Sequence, residues 1–374
     1  MPRDLIRHIR FAEGRRIICI SDIHGHLTHL DRLLEKIRFC SDDFLIIIGD
    51  AIEDGYASLG SLRRVMELEK AGNALMLSGN WDYFMHMLML SDDANDQQTL
   101  LTIALTRSQY LGSSLLLDMC RELDIPLTRE SDMRKLMPVI RDRFSEELSF
   151  MGNMPIILDA GDFVCVHGGI HTMDEAELAK CEPHTFLKND AFAEQGLSFD
   201  RWLITGHWPV ANYDNSIACY APHIYPDRRI VAIDGGCGKQ EAAQLNALIM
   251  QAGKPGEFDF AFFDDFPRVT ALDNQTASND PIHTNWNTRF IDVISKSDEF
   301  AKIRHHATGN LLEVPLRRLW MQNGTEVLGD YTDYELPVEP GDVLSVLFET
   351  SKGLCCKKGS VSGWYRGRYA KIEN

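Results

Sequence analysis

The sequence predicts an α/β fold followed by a smaller β-rich segment, and three observations carry that reading. Six short, largely apolar runs each stop at a glycine beside an aspartate, asparagine or histidine. Segments with leucine and isoleucine at helical spacing separate the first of these runs. Beyond residue 283 the pattern changes to short strands divided by turns.

The runs cover residues 16–21, 44–48, 74–78, 163–166, 202–205 and 229–233. Four to six apolar residues bounded by glycine read as buried strands. Segments 29–38 (HLDRLLEKIR) and 61–70 (SLRRVMELEK) read as helices between the first three runs, which is strand–helix–strand chemistry. Residues 91–150 read as a helical insertion at the mouth of the site. Ser91-Asp92-Asp93 suits a helix start, and Met133, Leu136, Met137, Ile140, Phe144 and Leu148 recur close to a 3.6 period. Pro138 should kink or delimit that segment. Residues 155–158 and 163–166 flank Asp159-Ala160-Gly161-Asp162, a hairpin signal. Residues 258–271 read as further strand closing the main domain, and 273–281 (DNQTASNDP) as a linker. The expected organisation is a main domain over 1–275 and a small β-barrel of SH3-like type over 283–374. Near its end, Trp364, Tyr365 and Tyr369 sit among Arg366 and Arg368. They read as barrel core with a solvated rim, with a peptide-contacting surface as the alternative.

Bulk properties narrow the class. A chain of 374 residues exceeds one ordinary domain, and 44% hydrophobic with 25% charged residues suits a folded soluble protein. No apolar run approaches ~18 residues, so no membrane span is expected. Met1-Pro2-Arg3-Asp4-Leu5 lacks an apolar signal core, so a cytoplasmic location is expected. Nine cysteines contain no Cys-x-x-Cys pair, which argues against a structural zinc site. A net charge of −17 disfavours loose binding to nucleic-acid backbones.

The chemistry gathers where the runs end, because ligands bind outside the carboxyl ends of such strands. Hard and borderline divalent cations take carboxylate and amide oxygens and imidazole nitrogens. Asp22 and His24 lie two apart at one strand end and can point to one cation. Holding two cations about 3.5–4 Å apart needs a bridging group, and Asp50 is the natural bridge. Asn80 offers a neutral oxygen, and His167 and His207 offer nitrogens. Each piece alone is common. The ordered set Asp-x-His, Gly-Asp, Gly-Asn, His-Gly-Gly and Gly-His, each after an apolar strand, is specific. Asp234-Gly235-Gly236 ends the sixth run and reads as a turn.

In SDIHGH (21–26), IIIGDAIEDG (46–55), LSGNWD (77–82), MPIILDAGDFVCVHGGI (154–170) and ITGHWPV (204–210), the chain resembles the calcineurin-like metallophosphoesterases. Within them it is most similar to bacterial relatives of the serine/threonine phosphoprotein phosphatases. The resemblance spans roughly residues 15–275. It implies an α-β-β-α sandwich of two packed sheets flanked by helices, with two divalent cations (manganese, iron or zinc). It places Asp22, His24 and Asp50 on the first cation, and Asp50, Asn80, His167 and His207 on the second. It implies a metal-bridging hydroxide attacking phosphorus of a phosphomonoester or phosphoprotein, with no covalent enzyme intermediate.

The chain departs from that family at two linked points. Gly-Asp-x-x-Asp-Arg-Gly is usual there, whereas here Glu53 and Asp54 stand where the acid and the phosphate-holding arginine are expected. Gly-Asn-His followed by an acid is usual, whereas here the text is Gly79-Asn80-Trp81-Asp82. An indole N–H donates a hydrogen bond but is no general acid near pH 7. Three explanations stay open. Another residue supplies the proton or the clamp: His26, Glu53 and His171 are the candidates for proton transfer, and Lys188 and Arg201 for phosphate. Alternatively the substrates have good leaving groups, as in diesters, anhydrides, nucleotides and dinucleotide polyphosphates, and Trp81 stacks on a base or sugar. Finally, the site keeps its metals as a regulatory protein with weakened catalysis. The expected partners are a phosphorylated small molecule, a nucleotide or a phosphoprotein, the last docked through the C-terminal segment, and no membrane.

Overall fold

The structure, a computed structural model, describes residues 5–372. Residues 1–4, part of the stretch read above as lacking a signal core, and residues 373–374 lie outside the described residues. Contacts divide the chain into two compact units. The first holds the described residues up to Pro209 together with Pro222–Lys239 and Leu245–Asp264. The second holds Val210–Ala221, Gln240–Gln244 and the described residues from Asp265 onward.

The first unit contains β1 (Ile6–His8), β2 (Arg16–Ile20), β3 (Phe44–Ile48), β4 (Ala74–Leu77), β5 (Ile157–Asp159), β6 (Phe163–Val166), β7 (Trp202–Thr205), β8 (His223–Tyr225), β9 (Ile230–Ala232), β10 (Leu245–Gln251) and β11 (Asp259–Phe263). All six runs read from the sequence are strands here, trimmed at most by two residues. They form two sheets, ordered β1-β5-β6-β7-β9-β8 and β11-β10-β2-β3-β4. β2, β3 and β4 are mutually parallel, and so are β6, β7 and β9. Each trio therefore delivers its carboxyl ends to one side.

Side-chain alternation stacks the layers, because successive strand residues face opposite ways. Ile17, Cys19, Phe44, Ile46, Ile48, Leu75 and Leu77 pack in one core with Leu158, Phe163, Cys165, Ile204, Val231 and Ile233 of the other sheet. The intervening Ile18, Ile20, Leu45, Ile47, Ala74 and Met76 join a second core with the helices. A strand buried on both faces needs the near-continuous apolar text that makes these runs readable.

Among the described residues, seven helices of eight or more residues belong to this unit: α1 (Leu27–Lys36), α2 (Ser58–Lys70), α3 (Asn80–Leu90), α4 (Ala94–Tyr110), α5 (Leu115–Glu122), α6 (Met133–Arg143) and α7 (Ser145–Asn153). Asp93 caps α4 by accepting from the N–H groups of Asn95 and Asp96. Pro138 lies inside α6, and the break falls later, at Phe144. The buried stripe Met133, Leu136, Met137 and Ile140 holds that helix on the core across the hydrogen bond that proline removes. None of the described helices is long and apolar enough to cross a membrane.

The second unit is made of β12 (Arg268–Ala271), β13 (His283–Thr284), β14 (Ile291–Lys296), β15 (Phe300–His305), β16 (Leu311–Pro315), β17 (Leu319–Gln322), β18 (Thr325–Leu328), β19 (Tyr331–Thr332), β20 (Val343–Thr350), β21 (Gly353–Lys358), β22 (Val361–Tyr365) and β23 (Tyr369–Lys371). They pair antiparallel in a five-stranded sheet, β22-β21-β20-β12-β23, a three-stranded sheet and two two-stranded sheets. Among the described residues no pairing joins β22 to β23, and the antiparallel sheets make up a small β-rich unit.

Two expectations change here, and a third reading holds. The stretch 258–271 is two strands: β11 pairs with β10, whereas β12 pairs with β20 and β23. Pro267 between them has no N–H to donate to a continuous ladder. The predicted linker is ordered within the second unit, where the Gln275 N–H donates to the Val338 carbonyl at 2.8 Å and Asp273 pairs with Arg368. Finally, Trp364 and Tyr365 are buried, while Arg366 and Arg368 pair with Glu335 and Asp273 at the surface. The aromatic cluster is core. The exposed aromatic side chains of this unit are Trp286, Phe290 and Trp320.

Arg63 on α2 ties the insertion to the helical layer. Its Nε donates to the buried Glu147 of α7 at 2.8 Å, and its terminal nitrogens meet the exposed Glu122 of α5. Arg63→Ala strands a buried carboxylate and should cost about 1–3 kcal/mol. Glu122→Ala removes a solvent-screened partner and should cost under about 1 kcal/mol. Urea unfolding of both variants checks the contrast, and equal losses would contradict it.

Candidate metal centre

Asp22 follows β2, Asp50 follows β3 and Asn80 opens α3 after β4. His167 follows β6 and His207 follows β7. The strand ends thus bring all six predicted metal-binding residues to one place. Backbone strain marks it. Of the twelve non-glycine residues with positive φ among the described residues, six lie here: Asp22, His24, Asp50, Glu53, Asp54 and His207. Such conformations are unfavourable for ordinary residues and persist where the surroundings over-determine them.

The donor atoms converge. Nδ1 of His24 lies 3.4 Å from the Ile52 carbonyl, which assigns its proton there. Nε2 then faces Asp22 Oδ1 at 3.6 Å and Asp50 Oδ2 at 3.7 Å. His167 repeats the arrangement. Its Nδ1 donates to the Ile48 carbonyl at 2.7 Å, and its Nε2 sits 3.1 Å from Asn80 Oδ1 and 3.5 Å from Asp50 Oδ2. His207 Nε2 is bound to Asp190 at 2.8 Å, leaving Nδ1 as the ring nitrogen for a cation. One acceptor atom from each of Asp22, His24 and Asp50 lies within 4.8 Å of the others, and all three residues are buried.

Lone pairs gathered at these distances repel unless a proton or a cation sits among them. The electrostatics say the same. Burial and the Asp50 charge raise the Asp22 carboxyl. Burial and Asp22 raise Asp234 well above the usual range. Burial opposes charge on His167, yet the Asp50 and Asp22 carboxylates override it and raise the ring to about 10. Burial and Lys239 hold His24 well below its usual value, as the neutral ring a metal needs. Carboxylate and amide oxygens with imidazole nitrogens are a donor set for manganese, iron or zinc, so the residues present fit divalent cations.

Backbone groups fix the carboxylates. Asp22 Oδ2 accepts from the His207 N–H at 2.9 Å and from Ser21 Oγ at 2.5 Å. Asp50 Oδ1 accepts from the Trp81 N–H at 2.8 Å. Asp82, completely buried, accepts from the N–H groups of Asp50 at 2.7 Å, Gly79 at 2.9 Å and Ala51 at 3.2 Å. It locks the turn carrying Asp50 to the start of α3. Gly79 is needed for space, since a Cβ there would lie 2.1 Å from Asp50 Oδ1.

The other predicted residues separate. Trp81 lies at the centre, with the Arg107 guanidinium 4.2 Å and Lys239 Nζ 5.3 Å from its ring. Glu53 is completely buried and accepts from the Leu115 N–H at 2.8 Å, with Arg107 Nε 3.3 Å away. Burial pushes its carboxyl up to about 7. Asp54 forms ion pairs with both Arg107 and Lys239. His26 lies beside the cluster with Nδ1 tied to the carbonyls of His24 at 2.9 Å and Ile23 at 3.2 Å. His171 is exposed. Lys188 is exposed as well, and its charge helps to lower the pKa of Asp190, after the bond from His207. Arg201 is a correction. It precedes β7, whereas His207 follows it, so it sits at the opposite strand end and pairs with Asp159 at 2.8 Å.

Sequence reasoning missed Arg107, Lys239, Asp82 and Asp190 in these roles. Arg107 had a signal: α4 buries Gln97, Leu100, Leu101 and Ala104, and the next position on that face is 107. Lys239 directly follows the glycine-rich end of the sixth run. Asp190 had none.

Asp82→Asn replaces one acceptor oxygen by an N–H₂ donor facing a backbone N–H. Manganese affinity should fall about 10–100-fold, and the metal-free protein should lose roughly 1–3 kcal/mol of stability. Manganese titration and urea unfolding measure the two effects, and unchanged affinity would contradict the role given to Asp82.

A family model described as calcineurin-like phosphoesterase matches residues 15–228. Over 75 residues the chain is 40% identical to a symmetrical bis(5'-nucleosyl)-tetraphosphatase of Thioalkalivibrio sulfidiphilus (strain HL-EbGR7), a match covering 20% of this chain and 26% of that protein. The chain thus spans about a quarter of that relative's length. Among solved structures, a candidate diadenosine tetraphosphatase overlaps with a TM-score of 0.42 and 17% identity, over 70% of this chain and 99% of the other. A serine/threonine phosphatase from Saccharomyces cerevisiae overlaps with a TM-score of 0.42 and 11% identity, over 70% and 84%. These overlaps leave the substrate open. The family match covers more than half of the 374 residues, and the chain belongs to the calcineurin-like phosphoesterases as a metal-dependent phosphoesterase.

Proposed function

We propose that this chain hydrolyses phosphoanhydrides of the nucleotide or dinucleoside-polyphosphate type at a two-cation centre. Asp22, His24 and Asp50 would hold one cation. Asp50, Asn80, His167 and His207 would hold the other. When bound, such cations supply Lewis-acid chemistry: they make water nucleophilic at neutral pH and neutralise charge gathering on phosphoryl oxygens.

The observation that carries the substrate class is Trp81. It occupies the position after Asn80, stacked under Arg107, and its indole cannot hand a proton to a leaving oxygen. An alkoxide leaving group needs that proton, and lacking a general acid typically costs about 10²–10⁴-fold. A leaving phosphate is weakly basic and departs without one. The local match to a symmetrical bis(5'-nucleosyl)-tetraphosphatase agrees with this class.

The remaining residues bind and orient. Asp82 and the Trp81 N–H fix the Asp50 carboxylate, and Asp190 fixes the His207 ring. The Arg107 and Lys239 cations lie beside the cluster, where phosphate oxygens need donors.

After metal removal and manganese reloading, a dinucleoside tetraphosphate should be hydrolysed with kcat/KM at least about 10²-fold above that for glycerol phosphate, following the general-acid factor. Trp81→His should narrow that ratio by raising the monoester rate. Equal turnover of both substrates by the unaltered chain would refute the phosphoanhydride reading.

A further inference from the structure

We infer that Arg107 and Lys239 form a second phosphate-binding subsite beside the metal centre, occupied in the ligand-free protein by the Asp54 carboxylate. The ligand class rests on the phosphoanhydride reading above, since a substrate with linked phosphates places a second phosphate next to the reacting one.

Three observations support the subsite. First, the two cations come from unrelated parts of the chain, α4 in the helical insertion and the turn after β9, yet they meet over one surface. That surface is the Trp81 ring, 4.2 Å from the guanidinium and 5.3 Å from the ammonium. Second, one carboxylate serves both. Asp54 contacts Arg107 through one oxygen and Lys239 through the other, and the latter oxygen lies 3.8 Å from His24 Nδ1. Two oxygens spanning a guanidinium and an ammonium beside a metal-site histidine are disposed as two oxygens of a phosphate would be. Third, Arg107 is anchored on its other side: its Nε lies 3.3 Å from the buried Glu53 Oε2, while its Nη1 meets Asp54. A guanidinium carries five N–H groups and can serve an anchoring carboxylate and a phosphate together.

Asp54 is the carboxylate that meets both cations, so an arriving phosphate competes with it. It displaces that carboxylate from the cations and takes their hydrogen bonds. The Lys239 side chain is 34% exposed, which opens the subsite to solvent. Asp54 thereby opposes binding by internal competition. Its removal should strengthen binding, the opposite of what a purely structural ion pair predicts.

The experiment is calorimetric titration of pyrophosphate, with orthophosphate as comparator, into the manganese-reloaded full-length chain. Manganese content is measured on each sample. Asp54→Asn should bind pyrophosphate several-fold more tightly than the unaltered protein. Arg107→Ala and Lys239→Ala should each weaken it at least tenfold, with smaller changes for orthophosphate. Where an alanine variant does not fold, Arg107→Gln and Lys239→Gln carry the same comparison. Unchanged or weaker pyrophosphate binding by Asp54→Asn with full manganese content overturns the inference. So does unweakened binding by the Arg107 variant. If binding follows the prediction while dinucleoside polyphosphates are not hydrolysed, the subsite stands and the phosphoanhydride reading falls. If hydrolysis occurs while the variants bind pyrophosphate like the unaltered protein, the subsite falls alone.

Discussion

A completely buried carboxylate pair organises this protein. Asp50 and Asp82 both lie inside the fold, and a charge there survives only with partners. Asp82 takes three backbone N–H groups, one of them Asp50's own. Asp50 takes a fourth through Trp81 and turns its other oxygen toward His24 and His167. These bonds require β3 and β4 to stop together, a residue without Cβ at position 79, and a histidine arriving from the other sheet. The two-sheet architecture is the means of meeting all three conditions. Neither sheet alone carries enough donors to neutralise the cluster, and positive φ at Asp22, His24, Asp50 and His207 is the local cost of aiming them inward.

The helical insertion is part of the same electrostatic unit. Glu53 sits just past the Asp50 turn, and its buried carboxylate is capped by the Leu115 N–H at the start of α5 and by Arg107 from α4. The surroundings of the Asp50 turn therefore include groups supplied from a distant part of the sequence, Arg107 and Leu115.

The scaffold was legible because doubly buried parallel strands must be apolar throughout. Runs 44–48, 163–166 and 202–205 match their strands residue for residue. The edge strands β1 and β8 escaped notice, since Ile6–His8 and His223–Tyr225 are half-exposed and three residues long. The 258–271 stretch looked like one element because hydrophobicity does not say which partner a strand will take, and Pro267 divides it between two sheets. Five of the strand ends carried the cluster in plain text. Arg107 and Lys239 did not appear there, because a lone basic residue gains meaning only when tertiary packing sets it over Trp81. Arg201 was placed wrongly because its nearness in sequence to His207 conceals the length of β7 between them.

Two sets of strand ends that share Asp50 would hold two divalent cations. Manganese stoichiometry of the metal-stripped and reloaded chain, compared with Asp50→Asn, tests it most directly. The account predicts two ions per chain, and loss of tight binding at both positions when the shared carboxylate becomes an amide. A single ion in the unaltered chain, or two ions retained by Asp50→Asn, would contradict it.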